Sequence, residues 1–378
     1  MTANDWSVPE TDVFDQIRTA LETDQEAVLA TVVAVEGSAY RRPGAKMLVH
    51  PDGGGAGSIT AGCLEDEVRA LAADVLSAGE PRVETWDLTG DDDVWGMGVG
   101  CNGVITVLLE PLAPAYGAVA EARQRGEDVG VATVVGGDAD PPVGARSVYH
   151  PEDGFDGGDL PSWLVERLTD PVARFLDDGH SDTVTVEGPD GTVEAFVDGV
   201  RAPPELVVFG SGHDVGPVVE LAKLVDFRTT VVAFRGGHAD ADRFPRADEV
   251  VSASPGDVGD LRTWDRDTYA VVMTHNFVDD RLTLEELLAT PVPYVGLMGP
   301  RKRFDELREA LAEDGRALTD DERDRIYTPI GLDLGGDTPY QIAYSIVGEL
   351  LAVANDRTPQ HLGRREGPIH DRVDASTD

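Results

Sequence analysis

Glu205-Leu-Val-Val-Phe-Gly-Ser-Gly-His-Asp-Val-Gly216 begins as an unbroken apolar run and turns at once into a glycine-rich loop. The run reads as a buried strand, and the helix-spaced apolar residues from Val215 to Val225 read as the helix that follows it. Glycines at Gly210, Gly212 and Gly216 permit a tight turn and let backbone N–H groups approach a phosphate, with the helix N-terminus adding positive potential. The stretch therefore predicts a strand–turn–helix that binds nucleotide or phosphate through Gly210, Gly212, His213 and Gly216; a merely tight turn is the alternative.

Outward from this point the rhythm is regular. Strands TTVVAF, DEVV, YAVVMT and PYVGLM alternate with helices near 283–289 and 304–311. Such alternation implies a parallel, doubly wound, Rossmann-like sheet. A last helix from Pro339 to Val353 opens on Thr338 as N-cap with Gln341 as its capping-box partner. An acidic residue that would grip a ribose hydroxyl belongs near the end of the second strand, yet the chain there reads Val232-Ala233-Phe234-Arg235. Ordinary NAD recognition is thereby weakened.

Other strand ends carry charge. Thr274-His275-Asn276 with Asp279 and Asp280 follows one strand, and Gly296-Leu-Met-Gly299-Pro300-Arg301-Lys302-Arg303 follows another. Both fall at the edge where parallel sheets bind ligands. Three cations at a helix start suit an anion, the alternative being a solvated cap paired with Asp305 or Glu306. His275 is a candidate acid/base or a structural histidine, while Asp333 and Asp337, in a glycine-rich lead into the last helix, suit a cation or a ligand hydroxyl, the alternative being a turn and a helix cap.

Upstream, residues 12–113 read as a smaller N-terminal α/β domain, with a helix over 12–25, a strand over 28–35 and a helix over 63–77. The loop Gly37-Ser-Ala-Tyr-Arg41-Arg42-Pro-Gly-Ala-Lys46 suits an anion through Arg41, Arg42 and Lys46, although the residues alone favour the alternative of a solvated loop. Cys63, preceded by Gly62 at a helix start, is placed where the dipole favours thiolate, although free cysteines often merely pack. Cys101 lies among glycines; two cysteines without further ligands at metal spacing make no zinc site, which leaves a disulfide or a shared soft-ligand site for a cofactor as the readings of Cys101. Residues 114–203 form a weakly patterned middle region or linker, 204–356 the doubly wound domain, and 357–378 a charged tail.

Composition bounds the class. The 378 residues carry 71 acidic against 31 basic side chains, a formal charge of −40, with only three lysines, Lys46, Lys223 and Lys302. Charge spread along the chain looks like adaptation to high salt and argues against nucleic acid or anionic membrane as partner. At 41% hydrophobic residues the chain is globular, and no apolar run approaches the length of a bilayer span. The acidic N-terminus lacks a signal-peptide core, so a cytoplasmic location is expected.

Taken together, GSAYRRPGAKM, GSITAGCLE, GCNG, GSGHDVGP, MTHNFVDD, YVGLMGPRKR, PIGLDLGGDTPYQIAYSI and GPIH resemble the XdhC/CoxI family of xanthine dehydrogenase accessory proteins. The resemblance covers about 12–113 and 204–370 and contributes nothing in the middle. It implies a protein that binds molybdenum cofactor, in mono- or dinucleotide form, protects it during sulfuration and delivers it to an apo-molybdenum hydroxylase of the xanthine or carbon monoxide dehydrogenase type. A cysteine desulfurase and a second copy of the chain are further partners it allows. Mapped onto the motifs, Cys63 would face the metal–sulfur end and the Gly210 loop the phosphate end. The family carries an aspartate where Ala233 stands and keeps the arginine at Arg235. The competing reading is an NAD(P)-dependent oxidoreductase with His275 as acid/base.

Overall fold

The computed structural model describes residues 6–89, 102–235, 237, 239–364 and 366. The chain divides between Ala202 and Pro203 into two compact units.

The first unit begins with α1 (Glu10–Glu22), whose apolar positions three and four apart bury Val13, Phe14, Ile17 and Ala20. There follow β1 (Val28–Ser38), β2 (Lys46–Val49), β3 (Gly55–Gly57), α2 (Glu65–Ala78), β4 (Arg82–Asp87) and β5 (Asn102–Pro111). Residues 114–203, weakly patterned as sequence, are no linker. They build α3 (Ala115–Arg125), β6 (Val129–Gly137), β7 (Arg146–His150), β8 (Gly154–Asp156), α4 (Ser162–Asp178), β9 (Ser181–Gly188) and β10 (Gly191–Val200). The two sheets, ordered β3-β2-β1-β5-β4 and β8-β7-β6-β10-β9, are antiparallel and have one topology.

The unit is thus an internal duplication. Val32 exchanges backbone hydrogen bonds with Gly44 and Ala45, and Val134 does the same with Gly144 and Ala145. Each copy also sends a buried cation from its second strand to a carboxylate on the last strand of the other copy. Lys46 Nζ lies 2.5 Å from Asp198, and Arg146 pairs with Glu110. An aromatic ring from the leading helix flanks each cation: Phe14 beside Lys46 at 5.7 Å and Tyr116 beside Arg146 at 5.1 Å.

The second unit contains β11 (Glu205–Phe209), α5 (Val215–Lys223), β12 (Arg228–Ala233), β13 (Glu249–Ser252), β14 (Thr268–Val272), α6 (Phe277–Leu288), β15 (Tyr294–Leu297), α7 (Arg301–Glu313), α8 (Asp320–Asp324), β16 (Ile326–Tyr327) and α9 (Pro339–Ala354). Its six strands run parallel in the order β13-β12-β11-β14-β15-β16, the doubly wound arrangement that the strand–helix rhythm predicts. Strand β11 is buried throughout because both faces are covered. Leu206 and Val208 pack into the core with α5 and α9, and Val207 and Phe209 into the core with α6 and α7. Thr338 and Gln341 form the capping box of α9.

Candidate functional site

Strand β11 ends at Phe209 and the chain turns over Gly210. Its φ is +154°, and a Cβ there would stand 2.6 Å from the carbonyl oxygen of Met273, so only glycine fits. The loops after β11 and β14 are tied together, since Nε2 of His275 lies 2.9 Å from Oδ2 of Asp214. These two strands flank the point where the strand order reverses, so the pair spans the switch-point crevice.

His275 itself has φ +58°, a left-handed conformation that costs a non-glycine residue energy, and its side chain is 57% exposed. Asn276 then caps α6, its Oδ1 accepting from the N–H groups of Val278 and Asp279 at 3.0 and 3.1 Å. One turn further, the buried Asp280 accepts from the Thr274 hydroxyl and from Arg303 Nε at 3.0 Å, which binds the start of α7 to the loop after β14. Gly299 lets Arg303 fold back, because a Cβ there would meet Arg303 Cδ at 2.8 Å.

The basic triplet therefore divides. Arg303 is structural. Lys302 is 86% exposed and 3.6 Å from Glu306, the solvated-cap pairing. Arg301 is exposed and has no side-chain partner among the described residues, and no side chain caps the N-terminus of α7. An anion meeting this corner would find the side chains and backbone N–H groups of Arg301 and Lys302, whereas the Arg303 N–H already donates to the Pro300 carbonyl at 2.8 Å.

The Gly210 loop is less open than its glycines imply. Asp214 stands immediately before α5, and a Cβ at Gly212 would lie 2.3 Å from its Oδ1, so a carboxylate covers the place a phosphate would take. Gly216 meets nothing within 4 Å of its Cβ position, so no packing demand explains the third glycine. His213 is exposed. Arg243, which sequence reasoning did not single out, donates to the Ser211 carbonyl at 2.7 Å. Arg235 lies 3.0 Å from Asp279, and the buried Ala233 leaves the end of β12 without an acid for a ribose hydroxyl. Asp333 is exposed ahead of α9.

In the first unit Lys46 corrects the sequence expectation. It points away from the loop into the interior, 2% exposed, and is consumed by Asp198. Arg41 lies 3.8 Å from Glu10, and Arg42 is exposed.

Cys63 precedes the helix rather than opening it, since α2 starts at Glu65. Thr60 Oγ1 accepts from the N–H groups of Gly62, Cys63 and Leu64 at 3.3, 3.1 and 3.3 Å. The buried Glu65 carboxylate accepts from the N–H of Thr60 at 2.9 Å and that of Leu64 at 3.1 Å. A carboxylate thus already occupies the positive end of α2, which weakens the dipole argument for a thiolate at Cys63. The cysteine is half-buried against the core. Cys101 lies outside the described residues. Among the described residues no group of three or more His, Cys, Asp or Glu could hold a metal, and no helix is long and apolar enough to cross a membrane.

A doubly wound sheet with an Asp–His bridge over its switch point, and without the acid that reads a ribose, defines a Rossmann-type domain that departs from the ordinary NAD pattern. Residues 206–350 match the XdhC Rossmann domain and residues 20–87 match the XdhC and CoxI family. Over 341 residues the chain is 30% identical to a probable xanthine dehydrogenase subunit of Bacillus subtilis (strain 168), covering 88% of this chain and 94% of that one. It is 33% identical over 97 residues to the molybdenum cofactor insertion chaperone PaoD of Escherichia coli (strain K12), 25% of this chain and 30% of that one. The crystal structure of a xanthine dehydrogenase from Bacillus halodurans superposes with a TM-score of 0.73 at 30% identity, covering 91% and 96% of the two chains. The protein belongs to the XdhC/CoxI family.

Proposed function

We propose that this protein is an accessory factor of a xanthine-dehydrogenase-type molybdenum hydroxylase, which holds molybdenum cofactor as cargo, protects it during sulfuration and hands it to the apo-enzyme. The observation that carries the reading is the match along nearly the whole chain to a xanthine dehydrogenase subunit, together with the partial match to a molybdenum cofactor insertion chaperone.

The crevice fits one end of that cargo. A pterin phosphate needs an anion site, and the N-terminus of α7 with Arg301 and Lys302 supplies one, whereas the Asp214 carboxylate opposes a phosphate over the Gly210 loop. His275, steadied by Asp214, can exchange a proton with a pterin edge. Cys63 is the candidate for the sulfur-handling step.

The test is to purify the full chain from cells making the cofactor, oxidise it in acid and measure the fluorescent pterin released. Arg301→Gln with Lys302→Gln removes charge-assisted contacts worth about 1.5–3 kcal/mol each, so affinity should fall tenfold or more. Unchanged retention would return both residues to a solvated cap. Cys63→Ala should retain the pterin but fail to activate the client hydroxylase. Saturable NADH binding with no pterin retained would instead support the oxidoreductase.

A further inference from the structure

The glycine loop after β11 holds a group that a phosphate-binding loop does not carry. In a loop built for pyrophosphate the second glycine lets the ligand approach the backbone. Here a Cβ at Gly212 would stand 2.3 Å from Asp214 Oδ1 and 3.7 Å from Cδ2 of His275, so this glycine makes room for the Asp–His pair. The protein's own carboxylate and imidazole fill the place of the phosphates.

Asp214 is only half used by the fold. Its Oδ2 lies 2.9 Å from His275 Nε2, which donates to it, while no oxygen of its side chain caps the helix α5 that it precedes. Among the described residues only His275 pairs with it. The arginines of the neighbouring loops are engaged elsewhere: Arg235 with Asp279 at 3.0 Å, Arg303 with Asp280 at 3.0 Å, and Arg243 on the Ser211 carbonyl at 2.7 Å. A carboxylate accepts only, through about four lone-pair sites, so Oδ1 and the rest of Oδ2 remain open to donors. The side chain is 22% exposed, within reach of a ligand in the crevice.

An acceptor-only group of this kind repels a phosphate and draws N–H donors. The aminopyrimidinone ring of a pterin sets an exocyclic amine beside a ring N–H on one edge, two parallel donors spaced for the two oxygens of one carboxylate. Resting on the reading of the cargo as a pterin, we propose that Asp214 is the residue that recognises it: its carboxylate accepts from the amine and the ring N–H, His275 holds it in position, and the same charge bars dinucleotides from the glycine loop. The Gly210 loop then takes the pterin end, the reverse of what the glycine motif alone implies, and Arg301 with Lys302 is left for the phosphate.

Calorimetric titration of the full chain with pterin and with lumazine, which has a carbonyl in place of the exocyclic amine, tests the contact. Pterin should bind saturably and at least tenfold more tightly than lumazine, and NADH should show no saturation at millimolar concentration. Asp214→Asn, which keeps the shape and removes the charge, should lose the tenfold preference and gain saturable NADH binding, with its melting temperature reporting that it is folded. Equal affinity for the two heterocycles, no pterin binding at millimolar concentration, saturable NADH binding by the unaltered chain, or a folded Asp214→Asn variant that keeps the preference would overturn the assignment. Any of these results beside pterin retained by the chain purified from cells would remove the role of Asp214 and leave the cargo reading in place. A preference for pterin over lumazine with no pterin retained from cells would do the opposite.

Discussion

His275 is held where its backbone does not want to be. A positive φ of +58° costs an imidazole-bearing residue energy that glycine would not incur, and the compensating contact with Asp214 is half-exposed and so worth little. Replacing His275 by Gly should therefore leave stability unchanged or raise it by up to about 1 kcal/mol. If the strained imidazole serves the ligand, the same variant should lose pterin retention or client activation. Urea denaturation beside the retention assay separates the two: a loss of several kcal/mol would mean that His275 is structural. Asp280 behaves oppositely. It is buried and holds the half-buried Arg303 and Thr274, and Asp280→Ala should cost about 2–3 kcal/mol because it leaves the partly desolvated guanidinium and the Thr274 hydroxyl without their acceptor.

Among the elements, the crossed ion pairs of the duplicated unit couple the two copies. Lys46→Met alone leaves Asp198 buried without its cation and should destabilise by about 3 kcal/mol or more. The double variant Lys46→Met with Asp198→Leu should recover most of that loss, since an apolar pair of similar volume has no charge to desolvate. Chemical denaturation of both variants checks this; a double variant as weak as the single would mean the pair holds the copies by geometry that apolar contacts do not replace. The second sheet was partly legible. Ala30-Thr-Val-Val33 recurs at Ala132-Thr-Val-Val135, and Gly44-Ala45-Lys46 with His50-Pro51 recurs as Gly144-Ala145-Arg146 with His150-Pro151. The offset shifts from 102 to 100 between these two signals, and the helices share almost no residue identities, so no constant period announces the repeat. Lys46 is misleading in sequence for a related reason: a loop scanned locally shows Arg41, Arg42 and Pro43, whereas Asp198 is 152 positions away. The parallel sheet was readable because its inner strands β11, β12, β14 and β15 are buried on both faces and punctuated by their own turns. Asp214 stood inside the glycine motif, but only the folded loop shows its carboxylate over Gly212.

At the scale of the whole molecule the dominant fact is 71 acidic against 31 basic side chains. Excess like charge favours expansion of the compact state, and its repulsion reaches over a Debye length of about 10 Å at 0.1 M salt but only about 3 Å at 1 M. Salt also weakens surface ion pairs such as Lys302 with Glu306 and Arg323 with Asp320, yet exposed pairs contribute about 0–1 kcal/mol each. The interior pairs of Lys46 with Asp198 and Arg146 with Glu110 lie out of reach of that screening. Relief of repulsion among forty uncompensated charges should therefore exceed the loss from screened pairs, and stability should rise with salt. Urea is the denaturant to use, because guanidinium is itself a salt. The urea midpoint should increase steadily from 0.1 to 2 M potassium chloride. A midpoint that falls over that range would show that the acidic surface is held by its ion pairs rather than strained by its charge, and the high-salt reading would then be withdrawn.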